Sequence, residues 1–128
     1  MSFATDMYTI MIGDSSINSE VNGIYYENFP DNSDLTKNWI VYRFNRAEQV
    51  DCLSIKDAYT VYDLMATIIC PGTTDVATLN YISDLLVDYL NGNEGGEIVD
   101  INFTGDGHSF DQEKNVYMNT LNFNVISD

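Results

Sequence analysis

Residues 100–111, DINFTGDGHSFD, hold the densest group of side chains able to do chemistry. Asp100, Asn102, Thr104 and Gly105 fall near the D-x-[DN]-x-[DN]-G spacing of a calcium loop, with Asp106 and Asp111 beyond them. Such a loop ends on a bidentate glutamate and lies between two helices. Here Asp111 stands at the glutamate position, and Val99, Ile101 and Phe103 alternate with polar neighbours as a strand does. The segment therefore reads as a strand with Asp100 and Asn102 on its solvent face, running into a hairpin loop, and not as a metal site. His108, with Asp106, Asp111 and Glu113 nearby, could serve as an acid–base group or a hard-metal ligand. It is the only histidine, in Gly-containing loop sequence, and one His builds no zinc site without further ligands. A solvated role is the better reading.

No other chemistry stands out. The cysteines, Cys52 and Cys70, have neither CxxC nor any metal-ligand spacing and read as two reduced thiols. Ser15, Ser16 and Ser109 have no partnered base in sequence, and no GxSxG, P-loop, HExxH or GxGxxG occurs. Paired carboxylates carry no information in a chain with 20 Asp and Glu. The expectation is a protein without catalytic residues, metal or cofactor.

Charge limits the partners. Five Lys and Arg against 20 Asp and Glu give a formal −15 in 128 residues. Phosphate binding needs clustered cations, so neither nucleic acid nor an anionic membrane surface is an expected ligand. Residues 1–13 lack the basic start of an export signal, and the apolar run Met65–Cys70 is too short to span a bilayer. Apolar residues make up 45% of the chain, enough for one well-formed core, so a single domain over residues 1–128 is expected.

The elements that would position these residues follow from period and punctuation. Phe3, Met7, Ile10 and Met11 form a helical stripe over residues 2–12, with Ser2 as cap and Gly13 as stop. Residues 14–23 read as a connection with at most one loose turn. Ile24–Tyr26 reads as a short strand, Phe29–Asn32 as a turn around Pro30, and Trp39–Phe44 as a strand. That strand has Ile40, Tyr42 and Phe44 on one face and Trp39, Val41 and Arg43 on the other. A strand apolar on both faces is covered on both, and here the second cover could be another subunit. Residues 45–57 lack a clear period and read as a long loop. Tyr59–Cys70 reads as a strand with Tyr62, Leu64, Ala66 and Ile68 on one side.

A second helix begins at Thr74 or Asp75 as N-cap, carries Val76, Leu79, Ile82, Leu86 and Leu90 inward, turns Asp84 and Asp88 outward, and stops at Asn91-Gly92. Two strands close the chain. Val99, Ile101 and Phe103 point inward from the first; Tyr117, Leu121, Phe123 and Val125 point inward from the second; residues 104–115 form a long hairpin loop between them. The sum is an α+β fold: a mostly antiparallel sheet with two helices packed on one face.

In this order the chain resembles the tail terminator, or tail completion, proteins of long-tailed bacteriophages. The likeness rests on NGIYYENFPDN, on NWIVYRF, on DAYTVYDLMATIICPGTTDVATLNYISDLLVDYLNG, and on the closing MNTLNFNVI. It spans about residue 3 to residue 126 as a pattern, with no single diagnostic residue. The family often leads into its first long strand with Pro-Tyr where this chain has Asn38-Trp39. The resemblance implies a virion protein, made in the host cytoplasm, that forms a ring of six on the head-proximal end of the tail tube. The ring ends tube polymerisation and offers a docking face to the head connector or stopper, while DNA passes through unbound. It implies no catalytic residues and no cofactor.

From the sequence pattern, Tyr25, Tyr26, Phe29, Pro30, Trp39, Val41, Arg43 and Arg46 are nominated as subunit or tube interface. Carboxylates lining a channel would repel phosphate, and self-repulsion among the copies would make ring closure salt-dependent. Two other readings fit the same totals: another neck protein (a connector adaptor or stopper), or a small acidic DNA mimic that inhibits a host protein.

Overall fold

The computed structural model describes residues 2–28, 34–50, 59–74 and 76–128, with the backbone alone at 48–50. Phe29, Pro30, the 51–57 part of the expected loop, Cys52 and the possible cap Asp75 lie outside the described residues. The described elements run α1 (Phe3–Met11), α2 (Ser15–Glu20), β1 (Gly23–Tyr26), β2 (Trp39–Val50), β3 (Tyr59–Pro71), α3 (Val76–Leu90), β4 (Ile98–Asp111) and β5 (Val116–Ser127). The strands form one sheet in the order β1-β2-β3-β5-β4. Only the β1–β2 pair is parallel; the other three pairs are antiparallel. This is the α+β fold with a mostly antiparallel sheet that the sequence predicts.

Alternation along the central strands builds the core. Ile40 and Tyr42 on β2, Leu64, Ala66 and Ile68 on β3, and Leu121, Phe123 and Val125 on β5 are all buried on the helix-covered face. α1 lays Phe3, Met7, Ile10 and Met11 on that face. Phe3 stacks on Tyr62 at a ring-centroid distance of 3.7 Å and meets Phe44 edge-on at 4.7 Å. α3 adds Leu79, Ile82, Leu86 and Leu90. The predicted cap is present: Ser2 Oγ accepts from Thr5 N at 3.2 Å. Tyr89 OH donates to Ile10 O at 2.7 Å, tying α3 to the last turn of α1. A Cβ on Gly13 would sit 2.7 Å from that hydroxyl, so the stop residue also permits the close approach of the two helices.

Five readings are corrected. Residues 15–20 are a helix, α2, anchored by the fully buried Ile17; six residues with one apolar side chain are too few to show a period. The expected loop at 45–57 is strand through Val50, because β3 continues alongside and pairs Val50 with Tyr59. The expected hairpin loop at 104–115 is strand through Asp111, paired residue by residue with β5 down to Val116. In β4 a register shift between Ile98 and Asp100 turns Ile98 into the core and leaves Val99 45% exposed, so the inward set is Ile98, Ile101 and Phe103. Val76, read as the start of the α3 stripe, lies at the helix end and is exposed.

Candidate functional site

The helices cover one face of the sheet; among the described residues the other face has no helix or strand against it, and each sheet edge is covered over only part of its length. On the open face lie Val41 and Arg43 of β2, Met65, Thr67 and Ile69 of β3, and Met118, Thr120 and Asn122 of β5, paired across the strands in register. Most are half-buried by their neighbours alone. Thr67 and Thr120 share a hydroxyl hydrogen bond of 3.0 Å across the strands. A shallow hollow of about 360 Å³ opens there, flanked by Arg43 and Lys114. Two of the five cations of a −15 chain thus border one patch.

The nominated interface residues divide by environment. Trp39 is buried by its own chain: Tyr25 packs against it at a centroid distance of 5.6 Å, and its Nε1 donates to Asp34 O at 2.8 Å. Val41 is half-buried on the open face, while Arg43 and Arg46 are exposed. Tyr26, 40% exposed at the sheet edge, leans on Tyr42 and Phe44 at centroid distances of 5.4 and 5.0 Å. Tyr8, Tyr26 and Tyr42 line an apolar hollow beside the β1 edge. At the opposite edge, Val76, Phe110 and Tyr117 line a second apolar hollow, with Phe110 42% exposed.

The residues with the densest chemistry are held by local bonds. Asp100 Oδ1 accepts from Ile101 N at 3.0 Å and its Oδ2 from Asn102 Nδ2 at 3.2 Å. Asp111 Oδ1 accepts from the backbone N–H groups of Glu113 and Lys114, closing the β4–β5 turn. His108 Nε2 meets the amide oxygen of Asn80 at 2.9 Å, which is neither a nucleophile nor a carboxylate. Among the described residues no group of three or more His, Cys, Asp or Glu is placed to hold a metal ion. Nor is any described helix long and apolar enough to cross a membrane. Burial pushes the Cys70 thiol up to about 11, away from the thiolate a nucleophile needs. Burial likewise lifts Tyr42 to about 12, helped by the phenolic groups of Tyr8 and Tyr26.

Sequence reasoning missed a buried polar joint. Asn119, fully buried on β5, donates from Nδ2 to Ser83 Oγ of α3 at 2.9 Å and to Asp106 Oδ2 of β4 at 3.1 Å. It also missed Asp6, 4% exposed, whose Oδ2 accepts from Glu97 N at 2.9 Å and ties α1 to the approach to β4. Gly96, at φ +57, lies directly over that carboxylate where a Cβ would collide with it. A polar residue within an apolar helical stripe was the available signal for Asp6.

No protein-family model matches the chain. No curated protein sequence matches it either. Among solved structures, a chain in the virion of a native gene transfer agent particle is similar in fold, with a TM-score of 0.73 over 98% of this chain and 94% of that one. The two are 16% identical in sequence, a likeness of fold.

Proposed function

We propose that this protein is a structural virion component of a long-tailed phage or phage-like particle. It assembles as a ring of six on the head-proximal end of the tail tube, ends tube growth and presents a docking face to the head connector. The observation that supports this most is the end-to-end fold likeness to a chain of a gene transfer agent virion. It agrees with the order of motifs that resembles tail terminators. The open sheet face and bare edges give such a protein surface to assemble with. Exposed carboxylates such as Asp84 and Asp88 on α3 would leave passing DNA unbound.

The test mixes purified protein with tail tubes and with portal-bearing heads, followed by negative-stain imaging. A ring at one tube end supports the reading. Binding to heads alone would identify a stopper or adaptor instead, and binding to neither, together with tight capture of a basic DNA-binding enzyme, would identify a DNA mimic. Sedimentation at low and high salt checks the charge argument: rings strengthen as salt screens the copies from one another. Hexamers already complete at low salt, and indifferent to added salt, would refute it.

A further inference from the structure

Both edges of the sheet are half-covered, at opposite ends. On one side β1 pairs only with Trp39–Tyr42, the first four residues of β2. Glu27, at φ +61, then turns the chain out of the strand. From Arg43 onward no described strand lies outside β2. On the other side, Gly92 N donates to Ile101 O at 2.7 Å and Phe103 N donates to Asn91 Oδ1 at 3.0 Å, so the end of α3 closes the first part of the β4 edge. From Gly105 to Asp111 no described backbone group outside β5 bonds to the β4 backbone, although Asn80 of α3 meets the His108 side chain, and residues 106–110 are all exposed. Natural sheets block bare edges with charged side chains, Pro or bulges, because bare edges recruit another strand. Neither Arg43–Arg46 nor His108–Asp111 contains Pro or a bulge, the β2 register shift falling just after Arg46. The charges they carry, Arg43 and Arg46 on one and Asp111 on the other, are opposite in sign, so they guard against a like edge but not against each other.

We propose that these two runs pair with each other between copies, β2 residues Arg43–Arg46 of one subunit against β4 residues His108–Asp111 of the next. The pairing specifies the contact within the ring proposed above and rests on that reading. Strand directions alternate from β2 through β3 and β5 to β4, so two sheets set side by side the same way up meet antiparallel. Opposed residues in an antiparallel pair share a face. Setting Phe44 opposite Phe110 satisfies this: both side chains lie on the helix-covered face, Phe44 against Tyr62 and Phe110 against Tyr117. The same register sets Arg43 opposite Asp111, a cation against an anion on the other face. It also places the exposed Phe110 beside the exposed Tyr26 at the end of β1.

The contact joins two different surfaces, so it propagates in one direction and closes only as a ring. In the sheet, Arg43 is level with Met65, Asn122 and Gly105, so pairing it with Asp111 offsets successive copies by about 20 Å along the strands at ~3.3 Å per residue. β4 of the neighbour would occupy the column above β1, so each copy adds four strands, about 19 Å across at ~4.8 Å per strand. The strands then tilt by about 45°, at the upper end of what closed sheets adopt. The stagger between the two bare runs is therefore compatible with closure.

The experiment replaces Asn45 and Ser109, both exposed and directly opposed in this register, with cysteine, in a Cys52→Ser, Cys70→Ala background. Facing pairs lie within disulfide reach. Under mild oxidation on tube ends or at high salt, the N45C/S109C double variant should yield a covalent ladder up to the full ring, and neither single variant should cross-link. Rings that form without cross-linking, or that cross-link in either single variant, overturn the pairing and leave the ring reading intact. Absence of rings under all conditions, with no ladder, overturns both. Circular dichroism of the double variant against the parent confirms that both are folded.

Discussion

The two faces of the β2–β3–β5 sheet are made by the same strands and have opposite fates. On one, Tyr42, Leu64, Ala66, Leu121 and Phe123 are sealed under α1 and α3. On the other, one residue away in each strand, Arg43, Met65, Thr67, Thr120 and Asn122 are covered only by one another. The first set is apolar; the second mixes Thr and Asn with Met and Arg. The difference shows which surface is complete within one chain. The sealed face supplies stability, and the open face is the one that no described helix covers.

That division predicts very unequal costs of substitution. Phe123 is a fully buried ring on the sealed face, within 5.5 Å of the Phe103 ring. Phe123→Ala should cost about 3–5 kcal/mol, through lost burial and the cavity left behind. Urea denaturation of the monomer at low salt reads this directly. A cost near that of an open-face change would mean that the division is wrong.

Asp6 tests the rim of the sealed face. Its carboxylate is the buried acceptor for Glu97 N, and nothing else described accepts from that N–H. Asp6→Ala should destabilise by about 0.5–1.5 kcal/mol, the usual net contribution of one hydrogen bond, because the donor belongs to the exposed Glu97. Hydrogen exchange should speed at Glu97 more than at Leu121. Equal acceleration at both sites would show that Asp6 supports the whole core and not this joint.

The sealed face was the legible one, because its side chains repeat with the period of their element. Leu64, Ala66 and Ile68 alternate, and Leu79, Ile82, Leu86 and Leu90 recur at helical spacing, so strand and helix could be read directly. β2 beyond Phe44 and β4 beyond Thr104 read as loops in the sequence. Residues 45–47 and 106–110 are exposed on both sides, so nothing alternates there, and backbone pairing to β3 and β5 is what keeps them extended. The parallel seating of β1 against β2 was not legible either, since four residues carry no sign of which neighbour they will choose. Of the nominated interface residues, the exposed Arg43 and Arg46 border a bare edge. Trp39 instead completes its own subunit, because its indole N–H finds Asp34 O and Tyr25 covers the ring.

Alkaline pH should loosen the sealed face before the open one. Cys70 and Tyr42 are buried there, and burial favours their neutral forms. The thiol is raised from 9.0 to about 11 and the phenol from 10.0 to about 12. For groups whose neutral form the fold prefers, the stabilisation is complete below the unfolded value and is lost as pH rises toward the folded one. The urea midpoint should therefore hold from pH 7 to 8.5 and fall between pH 9 and 11. Cys70→Ala should make that fall shallower, whatever it does to stability at pH 7. An unchanged slope in the variant would remove Cys70 from the cause.

The smallest effect belongs to the open face itself. Thr67 and Thr120 exchange one hydroxyl hydrogen bond where water can compete, and such cross-strand pairs contribute a few tenths of a kcal/mol. Replacing both with Val keeps the shape and the β-branch. It should shift monomer stability by less than about 0.5 kcal/mol, because removing both partners of a hydrogen bond leaves neither unmet. In the monomer this change separates the two faces most sharply, since an equally conservative double change beneath α3 would disturb close packing. A loss above about 1.5 kcal/mol would mean that the open face is packed within a single chain. The hollow beside Arg43 and Lys114 would then be part of the core's support and not surface left for another molecule.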